Sequence, residues 1–366
     1  MESHSFQFRT IPTQAEARAV YNAEQAPFRI HGLLAQKQDG LFARMPKEIA
    51  ERTGKKVGLL YTNTAGARLR FTTDSRTIAV GAIYPPMIFP SERSVALSGV
   101  GAFCFDLYVD GEHCQILSPT TLIQRGSVVS FELSEGRYEA FVTFEEKRMR
   151  QITLCFPSFV NIRDVFIGLD TDATLTEAAP YVNDLPVVFY GSSITQGACA
   201  SRSGNTYPNI LSRRFDFDYV NLGFAGACKA EETVIDYLCT LPMQLLVYDY
   251  DHNTPSVEFL KETHLRGLRK LRKAHPDLPI VLLSKPNQHN GKEEAIKRMR
   301  VVEESYEALR KESSAPVHFI NGQEIFESHD REMMTMDNTH PTDLGFYCMA
   351  EALSRVFRLY FSSNLS

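Results

Sequence analysis

The chain has 366 residues, 43% of them hydrophobic and 23% charged, with a net charge of −5 and a pI near 6.1. That length suggests two domains, and that balance argues against nucleic-acid or membrane-surface binding driven by bulk charge. No apolar run approaches the roughly 20 residues that span a bilayer, and the first residues lack a basic stretch followed by an apolar core.

Residues 13–25 carry a weak helical pattern. The chain then reads as β structure, with short runs of β-formers at 57–61, 68–71, 77–83, 103–109, 128–133 and 138–144. Turn signals such as Asp110-Gly111 and Glu135-Gly136 separate them, and residues 150–166 supply one or two further strands. This spacing predicts an antiparallel sandwich of the jelly-roll sort over residues 1–175. Residues 170–180 are small and polar and read as a connector.

Beyond it, residues 185–366 change period. Apolar strands at 186–190, 218–223, 245–250, 279–284 and 317–320 alternate with helical patterns at 206–214, 230–239, 256–274, 293–311 and 341–360. The pattern implies a parallel sheet covered by helices on both faces, with reactive groups gathered at the carboxyl ends of its strands.

Four signals fall at such ends. Gly191-Ser192-Ser193-Ile194-Thr195 follows the first strand, so the Ser193 hydroxyl sits at a strand-to-helix turn. Backbone N–H groups and the positive helix end there favour developing negative charge, although such a serine also serves as a helix cap. Asn221-Leu222-Gly223-Phe224-Ala225-Gly226 ends the second strand, where Gly226 could present an unobstructed N–H or simply form a turn. Tyr248-Asp249-Tyr250-Asp251-His252-Asn253 ends the third, offering the Asn253 amide; Asp249, Asp251 and His252 could alternatively pair as metal ligands. After the fifth strand, Asp337-Asn338-Thr339-His340 places a carboxylate where it could hold Nδ1–H of an imidazole, and Pro341 looks like a first helical residue. A hydroxyl, an imidazole and a carboxylate are what acyl transfer by a serine nucleophile requires.

This series resembles the SGNH (GDSL-type) hydrolase superfamily over roughly residues 185–366. The resemblance implies a flavodoxin-like three-layer αβα domain. It makes Ser193 the nucleophile, His340 the general base and Asp337 its partner. Ser193, Gly226 and Asn253 would form the oxyanion hole. Cys104-Phe105-Asp106-Leu107-Tyr108 looks like the Gly-x-Asp-Leu-Tyr segment of the β-sandwich that precedes this domain in one branch, with cysteine where the glycine would stand. Ser192 replaces the more usual aspartate, as in the GSSIT-type branch, and the third block lacks a clean Gly-x-Asn-Asp.

The resemblance implies a serine esterase acting on an O-acyl ester, most often O-acetyl, of a saccharide or small molecule. Acyl transfer to another alcohol and a non-catalytic carbohydrate-binding protein are the alternatives. No cofactor or metal is expected, and neither nucleic acid nor membrane is an expected partner. The seven cysteines are scattered and lack CxxC spacing, which fits reduced thiols and a cytoplasmic location. Tyr84, Phe89 and Tyr108 could stack on sugar rings, although such residues in β runs usually belong to the core. The loops at 85–90 and 286–290 are candidates for the pocket border.

Overall fold

The structure is a computed structural model describing residues 6–9, 18–85, 99–119, 122–125, 128–133, 136–286, 292–327 and 330–362. Phe89 and nearly all of the two candidate border loops, residues 86–90 and 287–290, lie outside the described residues.

Two antiparallel sheets face each other in the first half. One runs Arg18–Asn22, Asp164–Asp170, Thr77–Ile83, Arg137–Thr143. The other runs Leu175–Thr176, Arg68–Thr73, Arg150–Cys155, Phe105–Val109, Glu112–Leu117, with Arg29–His31 also pairing on Arg68–Thr73. Alternation along each strand sends Leu69, Phe71, Val80, Leu107, Ile152 and Ile167 into one shared core.

Three local readings of the sequence are corrected. Within the 13–25 helical pattern, Arg18–Asn22 is a strand, because its backbone pairs with Asp164–Asp170. Residues 57–61 are not a strand: Lys55–Leu60 is a helix that buries Val57 and Leu60, three apart on one face. The last helix starts at Asp343, after the Thr342 cap, so Pro341 precedes it rather than opening it.

The second half holds a parallel sheet of β1 (Asn183–Gly191), β2 (Phe217–Gly223), β3 (Leu245–Asp249), β4 (Ile280–Leu283) and β5 (Val317–Ile320), ordered β2-β1-β3-β4-β5. This is the doubly wound order with the chain reversing direction beside β1, where a crevice opens at the strand ends. Apolar clusters fill both faces. Leu246, Tyr248, Leu268 and Leu282 belong to one; Phe189, Val247, Phe346 and Phe357 belong to the other.

The two halves are tied by buried charge and by shared core. Ala43, Met45, Ala50, Val57 and Leu60, from the first half, pack in the core on one face of the parallel sheet. Arg44 is fully buried, donating to the carbonyls of Asn221, Gly223 and Leu60, and burial lowers its guanidinium to about 9. Asp106 of the Asp-Leu-Tyr segment accepts from Arg202 Nη1 at 2.8 Å and from the Gly204 N–H at 3.0 Å, while Arg202 also bonds the Tyr108 hydroxyl. Tyr84 and Tyr108 are both buried: Tyr84 donates to the Phe103 carbonyl, so these rings serve core and interface rather than a sugar platform.

Candidate active site

Gly191, Gly223 and Asp249 stand opposite one another at the ends of β1, β2 and β3, so the three strands deliver their following loops side by side. A Cβ on Gly191 would lie 2.1 Å from Thr195 Oγ1 and 2.6 Å from the Asp249 carbonyl, so only glycine lets the chain turn here. The Ser192 hydroxyl caps the short helix Ser193–Gln196 by accepting from the Ile194 N–H at 3.1 Å. Ser192 does the capping. The neighbouring Ser193 hydroxyl is left for other work.

Ser193 Oγ lies 2.8 Å from His340 Nε2. His340 Nδ1 lies 2.7 Å from Asp337 Oδ2. The loop between them is held by Asp337 Oδ1, which accepts from the His340 and Thr339 N–H groups, and by the Met336 N–H donating to the His340 carbonyl. Partial burial alone would raise the Asp337 carboxyl, but these bonds and the imidazole hold it below the usual carboxylate range. Ser193 is 8% exposed. Cys199 is no rival nucleophile, since burial and the Asp337 charge push its thiol up to about 12.

Three N–H donors at the same strand ends are unengaged among the described residues. The backbone N–H groups of Ser193 and Gly226 donate to no other group, and the buried Asn253 Nδ2 has no partner. Gly226 takes φ +63, and a Cβ there would stand 3.1 Å from Lys56 Nζ. Buried donors without acceptors are costly, so sites that hold them usually await an acceptor.

Several supporting residues escaped the motif reading. Gln196 accepts from the Ala225 N–H and donates to Asn63, bracing the loop that carries Gly226 against the first half. Asn221 Nδ2 donates to the Thr195 carbonyl while its Oδ1 accepts from the Gly223 N–H. Thr195 Oγ1 donates to Asp249 Oδ2 at 2.8 Å. Arg298, on the helix Lys292–Glu312, donates to the Asp251 carbonyl and so braces the turn bearing Asn253. Thr195 lies in the Gly-x-Ser-x-Thr run and Asn221 opens the second motif, but most of these bonds join residues far apart in sequence and leave no local pattern to find.

Donor atoms of Asp249, Asp251 and His252 lie within 4.8 Å of one another. Their other bonds argue against an ion. Asp251 Oδ1 lies 2.9 Å from His252 Nδ1, Asp251 Oδ2 accepts from the Lys285 N–H, and Asp249 Oδ2 accepts from Thr195, so only Asp249 Oδ1 and His252 Nε2 stay free. Two free donors fall short of the three or four protein ligands of a zinc site. None of the seven cysteines forms a disulfide.

Comparison with known proteins supplies the class. Residues 184–358 match the GDSL-like lipase/acylhydrolase family, and residues 19–175 match the N-terminal domain of SGNH-hydrolase-type esterases. A putative GDSL-like lipase from Bacteroides ovatus is 25% identical, with a TM-score of 0.78 over 94% of this chain and 99% of that one. The salicylyl-acyltransferase SsfX3 of a tetracycline biosynthetic pathway is 21% identical, with a TM-score of 0.72 over 94% and 98%. A family two carbohydrate esterase from Cellvibrio japonicus is 14% identical, with a TM-score of 0.58 over the same shares, and the last two show likeness of fold. A comparison with curated proteins finds no match. Residues 184–358 therefore form a domain of the GDSL-like lipase/acylhydrolase family behind an N-terminal domain of the SGNH-esterase type, and the protein is an esterase or acylhydrolase.

Proposed function

We propose that the protein hydrolyses an O-acyl ester, an O-acetyl ester of a saccharide in the first place, with Ser193 as nucleophile. The observation that carries this reading is the unbroken relay from Ser193 Oγ through His340 to Asp337, at 2.8 Å and 2.7 Å. As Oγ bonds to the ester carbonyl carbon, its proton passes to His340 Nε2, and Asp337 holds the ring through Nδ1. The Ser193 and Gly226 N–H groups and the Asn253 amide take the oxyanion. Collapse breaks the bond to the alcohol, which leaves with the proton from His340. Water then attacks the acyl-serine, giving its proton to the same nitrogen, and the acid departs.

The saccharide part rests on relatives: family two carbohydrate esterases, among them one from Clostridium thermocellum in complex with cellohexaose, share this fold. A second reading is transfer of the acyl group to another alcohol, favoured by the likeness to SsfX3, an acyltransferase with the same two-part layout. Release of p-nitrophenol from its acetate by the native protein and by Ser193→Ala tests the common step; equal rates in the two would sink it. Acetylated xylo-oligosaccharides, assayed with and without an alcohol acceptor, separate hydrolysis from transfer by their products.

A further inference from the structure

A second site lies at the opposite end of the parallel sheet. A cavity of about 210 Å³ opens between the sandwich sheet and the helix Tyr207–Phe215. Asp216, at its wall, precedes the start of β2, whereas the relay lies beyond the end of that strand, about 20 Å away at 3.3 Å per residue. Whatever occupies this cavity does not meet the reacting ester.

Arg70 dominates the cavity wall. On the strand Arg68–Thr73 its neighbours Leu69 and Phe71 point into the sandwich core, so Arg68 and Arg70 share the other face. Arg68 is paired with Asp218. Arg70 is not paired. It is 4% exposed, its Nε and Nη1 have no hydrogen-bond partner, and no carboxylate of the described residues forms an ion pair with it. Its guanidinium lies 4.0 Å from the centre of the Tyr181 ring.

The surroundings add positive charge rather than cancel it. Strand register sets Arg29, Arg70, Thr153 and Tyr108 in one cross-strand row, with Arg29 directly opposite Arg70. Two like charges so placed repel unless something negative lies between them. Arg213 enters from the helix side, 4.3 Å above the Tyr108 ring, and donates to the Gly204 carbonyl and the Asn209 side chain. The acids at the wall are Asp110, held by Arg148, and Asp216, which forms no ion pair. Within the lining, the Arg70 and Arg213 guanidiniums therefore face one carboxylate, Asp216, that is unpaired among the described residues.

From this arrangement we infer that the cavity is a binding site for a small oxyanion, phosphate-like or carboxylate, held by Arg70 and Arg213. The planar guanidinium fork matches the paired oxygens of a phosphate or carboxylate. The volume admits such an ion together with water. Because Arg70 belongs to the sandwich and Arg213 to the α/β half, an anion here bridges the two and stabilises their contact through linkage.

The test is thermal unfolding of the full chain in inorganic phosphate, sulfate or acetate, each against sodium chloride at matched ionic strength. Phosphate or acetate is expected to raise the Tm of the native protein by several degrees beyond chloride, and the stronger of the two identifies the anion class. Arg70→Met should abolish that shift. Arg70→Lys, which keeps charge but loses the fork, should weaken binding at least tenfold. Turnover of p-nitrophenyl acetate should be unchanged in both, since neither residue touches the relay. If Arg70→Met does not fold, Arg213→Gln reads the same loss from the other wall. No anion-specific shift in the native protein, or a full shift in both the Arg70 and Arg213 variants, would overturn the assignment.

Discussion

Ser193, His340 and Asp337 owe their arrangement to division of labour between neighbours. Ser192 satisfies the helix end, so the Ser193 hydroxyl faces the imidazole instead of a backbone N–H. Replacing Ser193 with alanine should leave Tm unchanged while lowering ester turnover by at least ~10³, read by burst and steady-state kinetics. Asn253→Ala removes a donor that meets no acceptor in the resting protein. It should cost ~10²–10³ in kcat with little change in KM, because the lost bond forms only in the transition state. A variant that raises KM alone would place Asn253 in substrate binding instead.

Among the elements, β3 and the helix Val257–Ala274 behind it hold two buried titratable groups with opposite linkage. Burial and the nearby Asp251 push the Asp249 carboxyl up to about 6, although His252 and the Thr195 hydroxyl pull the other way. Its folded form holds a proton more tightly than an unfolded carboxyl at about 4, so its contribution to stability is full below pH ~4 and is lost as pH rises through ~6. Burial between Tyr248 and Tyr250 lowers the His264 imidazole to about 4, against the opposing pull of Asp251. Its contribution is full above about 6.5 and is lost as pH falls towards 4. Each is worth about 3 kcal/mol, and across pH 4–6.5 they offset each other. Chemical denaturation should therefore show Asp249→Asn losing stability steeply as pH falls through this window. His264→Phe, which keeps the ring packing, should gain stability over the same window. Parallel slopes in the two variants would refute this pairing.

For the whole molecule, the joint between the halves carries energy that neither half supplies alone. Asp106 is fully buried and takes bonds from Arg202 and Gly204 across that joint, with His113 Nε2 3.1 Å away. Asp106→Ala removes the buried carboxylate that pairs with Arg202 and accepts from the Gly204 N–H, and should cost about 3 kcal/mol or more, seen as a lower denaturation midpoint. The same change should slow ester turnover only indirectly; full stability in this variant would show the joint to be loose. The Asp-Leu-Tyr segment is thus explained by docking. Its aspartate and tyrosine grip the loop after the helix Ser193–Gln196, at Arg202 and Gly204, while its leucine fills the sandwich core.

Period and local turn chemistry were enough, from the residues alone, to reveal the alternating strands and helices of the second half. The Ser193 turn and the Asp337–His340 spacing were legible for the same reason: their geometry is set within a few residues. Residues 57–61 misled because a short apolar run buries equally well as strand or helix, and packing on the α/β core decided for the helix. The bracing roles of Gln196, Asn221 and Asp249, and the burial of Arg44 and the unpaired Arg70, were invisible for a related reason. A buried polar group is defined by what surrounds it, and those partners come from strands and helices tens to hundreds of residues away, brought together only by the closed fold.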